Sequence, residues 1–179
     1  MKKPNLLFPV MILLLLIVSV SCKDENEPNQ PENTVNDLDG NVYKTVNIGD
    51  QVWMAENLKV THFRNGSEIA DVTGEFPGSG RKYTWHAVSD SNGLCPSGWR
   101  APTINEWRSL INSFGSMDIA ARKLEKDFAN AGDASQWWSS TEQDTLLAQS
   151  FYLNNQTIGI MITASAKTSS LSVRCIREY

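Results

Sequence analysis

Residues 94–107 read Leu94-Cys95-Pro96-Ser97-Gly98-Trp99-Arg100-Ala101-Pro102-Thr103-Ile104-Asn105-Glu106-Trp107, and a helix is predicted to begin inside this stretch. Thr103 and Glu106 form a capping box, in which a hydroxyl and a carboxylate satisfy amides that the first helical turn leaves without partners. Apolar residues then recur at the helical period, at Ile104, Trp107, Leu110, Ile111 and Phe114. Gly115 follows and permits a left-handed helix end. The sequence therefore predicts an amphipathic helix directly after a turn-rich loop that contains Cys95.

Strand patterns lie on both sides of this helix. Residues 42–48 and 51–54 are β-branched and partly alternating, and Gly49-Asp50 between them predicts a hairpin turn. A weaker helix is predicted from 117 to about 128, and further strands at 83–85, 137–141 and 171–177. A second hairpin is predicted from 148–153 and 157–163, with its turn at Asn154-Asn155. Strands, two central helices and strands again make an α+β order.

The first 21 residues have the pattern of a secretory signal peptide. Lys2 and Lys3 precede an apolar run at 6–20, which is shorter than the roughly 20 residues that a membrane span needs. The run ends in small residues before Cys22 and resembles a bacterial lipobox, although Ser19 stands where leucine is usual. This resemblance implies that Cys22 is lipidated and anchors the protein to a membrane. The alternative is an ordinary signal peptide with Cys22 as a bystander.

Residues 22–36 are predicted to be the lipidated cysteine and a disordered tether. The segment is rich in glutamate, asparagine and proline and has no apolar periodicity. Lys23-Asp24-Glu25 resembles the surface-export signal of Bacteroidetes lipoproteins, which implies an outer-membrane protein exposed at the cell surface. A solvated acidic tether is the alternative.

Charge and cysteine content limit the function of the remaining domain, residues 37–179. Residues 1–21 contain two lysines and no acid, so the rest of the chain has 14 basic and 20 acidic residues and a formal charge of −6, which argues against nucleic-acid binding. Cys95 and Cys175 favour a disulfide in an oxidising compartment, with a metal pair or free thiols as alternatives. His62 and His86 are widely separated from them and make a poor zinc set.

Five blocks, in order, resemble the Fibrobacter succinogenes major paralogous domain, a family of secreted bacterial proteins. They are DLDGNVYKTVNIGDQVWMAENL at 37–58, YTWHAV at 83–88, LCPSGWRAPTINEW at 94–107, WWSST at 137–141 and SVRCIR at 172–177. The departures are Ala101, where leucine is usual, and a short segment before Trp137. The third block is also similar to one in C-type-lectin-like folds, including formylglycine-generating enzymes. The resemblance implies a C-type-lectin-like α+β domain with twisted antiparallel sheets and two central helices, and no settled activity.

The sequence favours no catalytic or metal site. It contains no nucleophile elbow, zinc-protease helix or phosphate-binding loop. Asp37-x-Asp39-Gly40-Asn41 begins like a calcium loop, but the twelfth position, which should hold a glutamate, is Ile48. A turn that caps the first strand is the better interpretation, and we expect no enzyme activity, no metal and no cofactor. Arg100 and Arg174 are expected to pair with a carboxylate such as Glu106 or Asp90 rather than with an acidic ligand.

The six tryptophans raise the question of sugar stacking. Trp107 lies on the apolar helix face, and Trp53, Trp85 and Trp99 belong to the family pattern, which indicates a role in the fold. Trp137 and Trp138 are adjacent on a strand and point to opposite faces, so one of them is a candidate ligand-binding residue. The sequence thus favours a binding module for glycan or protein, with a structural or assembly subunit of the envelope as the alternative and an enzyme as the least favoured class.

Overall fold

The computed structural model of the 179-residue chain describes residues 33–70, 72–76, 80–128, 134–154 and 159–179. The predicted signal peptide, Cys22 and most of the predicted tether lie outside these residues. The described part is a mixed α and β structure with two mostly antiparallel sheets and three helices. It contains no helix that is both long and apolar enough to cross a membrane.

The first sheet gathers the N-terminal hairpin and the C-terminal strand. Its five strands pair antiparallel in the order β1-β2-β3-β11-β6. They are β1 (Thr34–Asn36), β2 (Val42–Ile48), β3 (Gln51–Met54), β6 (Trp99–Arg100) and β11 (Ile176–Arg177). The predicted hairpin is confirmed, with Gly49 at φ 58° in its turn. Residues 34–36 were predicted to belong to the tether, but they form β1 because each of them pairs with a residue of β2.

The second sheet has six described strands in the order β4-β5-β10-β7-β8-β9, and only β10 and β7 run parallel. They are β4 (Thr73–Phe76), β5 (Gly80–Tyr83), β7 (Ala134–Glu142), β8 (Leu147–Asn154), β9 (Gly159–Ala166) and β10 (Leu171–Ser172). The predicted strand at 137–141 lies within β7. The predicted second hairpin is confirmed as β8 and β9, whose connection, including Asn155, lies outside the described residues.

Three helices complete the described fold, namely α1 (Trp85–Val88), α2 (Ile104–Ser113) and α3 (Met117–Asp127). The predicted capping box is present at the start of α2, where the Glu106 amide donates to the Thr103 hydroxyl and the Thr103 amide donates to the Glu106 carboxylate. Gly115 has φ 88° and separates α2 from α3. Both central helices are therefore confirmed close to their predicted bounds.

Two predicted strands differ from the structure because tertiary packing determines where each of them ends. The segment predicted as one strand at 171–177 leaves the second sheet after Ser172 and enters the first sheet at Ile176. Between them, the carbonyl oxygens of Val173 and Cys175 accept hydrogen bonds from the N-terminal segment at 54–58. The predicted strand at 83–85 ends at Tyr83, and Trp85 begins α1, with its indole donating to the Ser139 carbonyl of β7 at 2.9 Å.

The core consists of two clusters, and the adjacent residues Trp137 and Trp138 of β7 lie in different ones. Trp138 packs in the cluster that contains the cysteines, and Trp137 packs in the one that contains the apolar face of α2. In the second cluster the Trp107 and Phe151 rings stack with centroids 4.3 Å apart and planes 4° apart. Helix α2 therefore covers one face of the second sheet, and the N-terminal loops cover the other.

Candidate functional site

Trp137 and Trp138 are core residues, and their predicted role in sugar stacking is wrong. They point to opposite faces of β7 as expected, yet both side chains are 0% exposed because each face of the sheet is covered at this point. Their indole N–H groups donate to the Asn57 Oδ1 and to the Tyr83 carbonyl, each at 2.7 Å. Neither ring has a face available to a ligand.

Cys95 and Cys175 form a disulfide with an S–S distance of 2.05 Å. The favoured prediction for this pair of cysteines is therefore confirmed. Both residues are buried in the same core cluster as Trp138. Cys95 lies in the loop before β6, and Cys175 lies just before β11. The bond thus joins two segments whose strands are neighbours in the first sheet.

Arg100 pairs with Glu106, as the sequence predicts. Its two terminal nitrogens donate to the two carboxylate oxygens at 2.7 and 2.5 Å. Partial burial alone would raise the pKa of Glu106, but hydrogen bonds from Arg100 and Thr103 outweigh it and hold that pKa below its usual value. The pair fixes the start of α2 and is not a site for an acidic ligand.

Arg174 is fully buried and does not contact a carboxylate in the way that was predicted. Its guanidinium donates to the Asn57 Oδ1 at 2.7 Å and to the Ala55 carbonyl at 2.9 Å, and it lies 4.0 Å from the Phe128 ring centroid. Burial lowers the pKa of Arg174 to about 9, with Glu56 acting in the opposite direction. The residue is a polar part of the core and does not face a ligand.

The calcium-like segment forms a turn, as predicted. Asp37 accepts hydrogen bonds from the backbone amide and the side chain of Asn41, both at 2.9 Å, and from the Tyr43 hydroxyl at 2.5 Å. Its carboxylate is therefore engaged within the turn. No group of three or more histidine, cysteine or acidic residues that could hold a metal lies in the part of the chain that the structure describes.

Asp39, at the tip of the same turn, organises a polar cluster. Its Oδ2 accepts hydrogen bonds from the Thr61 amide at 2.5 Å and from the Thr61 hydroxyl at 2.8 Å, and its Oδ1 lies 2.6 Å from the His62 Nδ1. Partial burial would raise the pKa of Asp39, but these hydrogen bonds and the nearby imidazole hold it below its usual value. The His62 side chain is 37% exposed, so the ring is held on one side and open on the other.

This cluster forms part of an open cleft of about 390 Å³, which we call the polar cleft. The side chains that line it are those of Asp39, Asn41, Lys59, Thr61, His62 and Arg81. The Arg81 Nε donates to the Lys59 carbonyl at 3.0 Å, which places the two cationic residues side by side. All six lining residues are polar or charged. A second pocket of about 270 Å³ adjoins the cleft at His62, and its walls include Leu38, Val60 and Leu94.

The residues of the polar cleft come from three separate segments of the chain. The turn at 37–41 supplies Asp39 and Asn41, the loop at 59–62 supplies three further residues, and β5 supplies Arg81. In the sequence, the turn is recognisable only as a segment that begins like a calcium loop, and His62 only as a poor zinc ligand. No spacing motif connects the three segments, because the pairing of β5 and the packing of the turn bring them together.

Comparison with known protein families identifies a match. Residues 46–126 match the family model described as the Fibrobacter succinogenes major domain. No curated protein and no solved structure matches the chain. The matched region runs from β2 to α3 and includes Cys95, the capping box and both central helices. This match confirms the predicted resemblance to the Fibrobacter succinogenes major domain family over residues 46–126.

Proposed function

We propose that this protein is a non-catalytic binding module that holds a saccharide in the polar cleft. The observation that carries the proposal is the chemistry of the cleft wall, in which every lining side chain forms hydrogen bonds or bears a charge. A saccharide presents many hydroxyl groups and satisfies such a wall. Protein partners are usually anchored by aromatic and other apolar side chains in well-packed pockets, which this cleft does not offer.

The geometry around His62 supports binding rather than catalysis. In a nucleophilic triad the acid faces one imidazole nitrogen and the nucleophile faces the other. Here the Asp39 carboxylate and the Thr61 hydroxyl both approach Nδ1, at 2.6 and 3.1 Å. The Thr61 hydroxyl also donates to Asp39. This arrangement orients the ring but does not activate a nucleophile, so we propose no enzyme activity and no cofactor.

The proposed setting is the outer membrane, with the domain exposed at the cell surface. The support is the signal-peptide pattern, the lipobox-like residues before Cys22 and the acidic residues that follow. A buried disulfide agrees with an oxidising compartment outside the cytoplasm. The two-sheet α+β arrangement is compatible with a C-type-lectin-like domain, and its loops are the usual place for a binding site on a rigid scaffold.

Glycan binding with a matched pair of histidine variants tests the proposal. The purified full-length protein in mild detergent is applied to an array of neutral and acidic glycans, with and without a chelator. We expect selective binding that is lost in His62→Ala and retained in His86→Ala, since His86 is exposed on α1 and does not line the cleft. Binding that is equal in both variants, or no binding by a folded protein, would remove the proposal.

A second candidate, an assembly subunit of the envelope, is favoured by the edge of the second sheet. Strand β9 is the outermost described strand on its side, and its eight residues include no charge and no proline. Met161 on this strand is 58% exposed. Natural edge strands usually carry charges or proline that prevent pairing with a second copy.

Self-association distinguishes the two candidates. If the assembly function is correct, sedimentation in detergent should show a concentration-dependent oligomer that Met161→Lys dissociates. A monomer at all concentrations, with glycan binding intact, would leave the saccharide-binding function alone.

A further inference from the structure

We infer that the pocket beside the polar cleft receives the acetamido group of an N-acetylated sugar, which rests on the proposed binding function and specifies its ligand class. This side pocket of about 270 Å³ is lined by residues of the segments 36–38, 60–64 and 94–97. Small-molecule sites usually have about 300–1,000 Å³, so the side pocket suits one substituent rather than a whole ligand.

His62 connects the side pocket to the polar cleft, because its side chain lines both. On a hexose ring, an acetamido group and the next hydroxyl group are attached to adjacent carbon atoms. A single sugar ring beside His62 can therefore place hydroxyl groups in the polar cleft and its acetamido group in the side pocket. The two cavities would act as one site for one ligand.

The base of the side pocket is apolar. Val60, Leu94 and Cys95 line it and are 2%, 4% and 2% exposed. Leu38 lines it as well and is 59% exposed, so its side chain offers apolar surface to a ligand. A ligand methyl group placed here would remove apolar surface from water, whereas these side chains offer a hydroxyl group no hydrogen bond.

Polar groups that line the same pocket suit an amide. Asn36 and Ser97 are exposed and supply an amide and a hydroxyl group. Because the His62 Nδ1 faces the Asp39 carboxylate, we assign the proton of the neutral ring to Nδ1, which leaves Nε2 as a hydrogen-bond acceptor. An acetamido group combines a methyl group with an N–H donor and a carbonyl acceptor. It therefore matches both the apolar base and the polar groups of the side pocket.

The two charged residues of the side pocket are held by the protein. Asp37 is 9% exposed, and its oxygens accept hydrogen bonds from Asn41 and Tyr43. The Arg64 Nε donates to the Cys95 carbonyl at 3.1 Å. These hydrogen bonds fix the walls of the pocket before a ligand arrives, which lowers the cost of binding. Since one acid is balanced by one arginine, the pocket favours a neutral substituent such as acetamide over an ionised one.

Titration calorimetry with three β-1,4-linked disaccharides tests the inference. Cellobiose has a hydroxyl group where chitobiose has an acetamido group, and the third probe joins N-acetylglucosamine to N-acetylmuramic acid. With the full-length protein in mild detergent, chitobiose should bind at least about fourfold more tightly than cellobiose, the equivalent of one buried methylene group at about 0.8 kcal/mol. The N-acetylated probe that binds more tightly distinguishes a chitin-like source of the ligand from a bacterial cell wall.

A matched pair of leucine variants makes the result specific to the side pocket. Leu38→Ser removes apolar surface from this pocket and should weaken chitobiose binding about fourfold without changing cellobiose binding. Leu146→Ser makes the same change at a residue that is 74% exposed and does not line the pocket, so it should change neither affinity. Both leucines are more than half exposed, and both variants should therefore remain folded.

The outcomes separate this inference from the function on which it rests. Equal affinity for chitobiose and cellobiose, lost in His62→Ala, would overturn the inference and leave saccharide binding at the polar cleft intact. A preference for chitobiose that Leu38→Ser leaves unchanged, or that Leu146→Ser reduces equally, would place the acetamido group elsewhere and would also overturn it. If no probe binds, the inference alone fails where the glycan array shows binding that depends on His62, and both proposals fail where it does not.

Discussion

Reduction of the disulfide should lower the free energy of unfolding by about 4.5 kcal/mol. The bond joins Cys95 to Cys175 across a sequence separation of 80 residues. In the chain-entropy description, closing a loop of this length removes about 15 cal/mol/K from the unfolded chain, which gives about 4.5 kcal/mol at 25 °C. This is a large share of the roughly 5–15 kcal/mol that stabilises a typical domain.

Urea unfolding of the full-length protein, followed by tryptophan fluorescence, measures this loss. Oxidised protein is compared with protein kept in reductant and with the double variant Cys95→Ala/Cys175→Ala. The midpoint should fall and the denaturant slope should rise, because an unlinked unfolded chain exposes more surface. Reductant should not change the double variant further, which excludes an effect through Cys22.

A small effect would refute the entropic reasoning. If reduction costs less than about 1 kcal/mol and leaves the slope unchanged, the cross-link does not restrict the unfolded chain as the loop length requires. The sheets and the two core clusters would then hold this segment without help from the bond.

Three further predictions concern individual residues. Gly80→Ala should destabilise the protein more than Gly98→Ala, and thermal unfolding measures the difference. Both glycines have the same left-handed backbone conformation, with φ of 73° and 74°. A Cβ at Gly80 would lie 2.8 Å from the Leu58 carbonyl oxygen, whereas a Cβ at Gly98 meets nothing within 4 Å. Trp137→Ala should cost about 3–5 kcal/mol in urea unfolding. Glu106 has a folded pKa below its ordinary 4.5, so the unfolded state binds more protons and stability should fall as the pH drops from about 4.5 through the lower folded pKa. Stability measured against pH should have a smaller slope in Glu106→Gln.

Local chemistry made α2 and the first hairpin predictable. The capping box between Thr103 and Glu106 acts within one helical turn, and the apolar period of the helix determines which face is buried. The turn at Gly49-Asp50 likewise joins two strands that are neighbours in the chain. Each of these features depends on residues only a few positions apart, so a single sequence contains all the information that is needed.

Long-range packing caused the errors. Whether Trp137 or Trp138 faces solvent depends on what covers each side of β7, and that is decided by α2 on one face and the N-terminal loops on the other. The break in the predicted strand at 171–177 has a similar origin, because the segment between Ser172 and Ile176 joins one sheet to the other. A periodic pattern of apolar residues does not distinguish one long strand from two short ones in different sheets.

The polar cleft shows why the sequence reveals this fold more readily than its function. Tyr43 is completely buried, and its hydroxyl connects the core to two walls of the cleft by donating to Asp37 and accepting from the Lys59 amide. Burial and the hydrogen bond to Asp37 raise the pKa of Tyr43 far above its usual value, so the hydroxyl keeps its proton and both bonds persist across the working pH range.

The buried Tyr43 and the cleft-lining residues Lys59 and Arg81 therefore have separate roles. Tyr43 holds the backbone of the cleft in place, while the partly exposed side chains of Lys59 and Arg81 line the cleft.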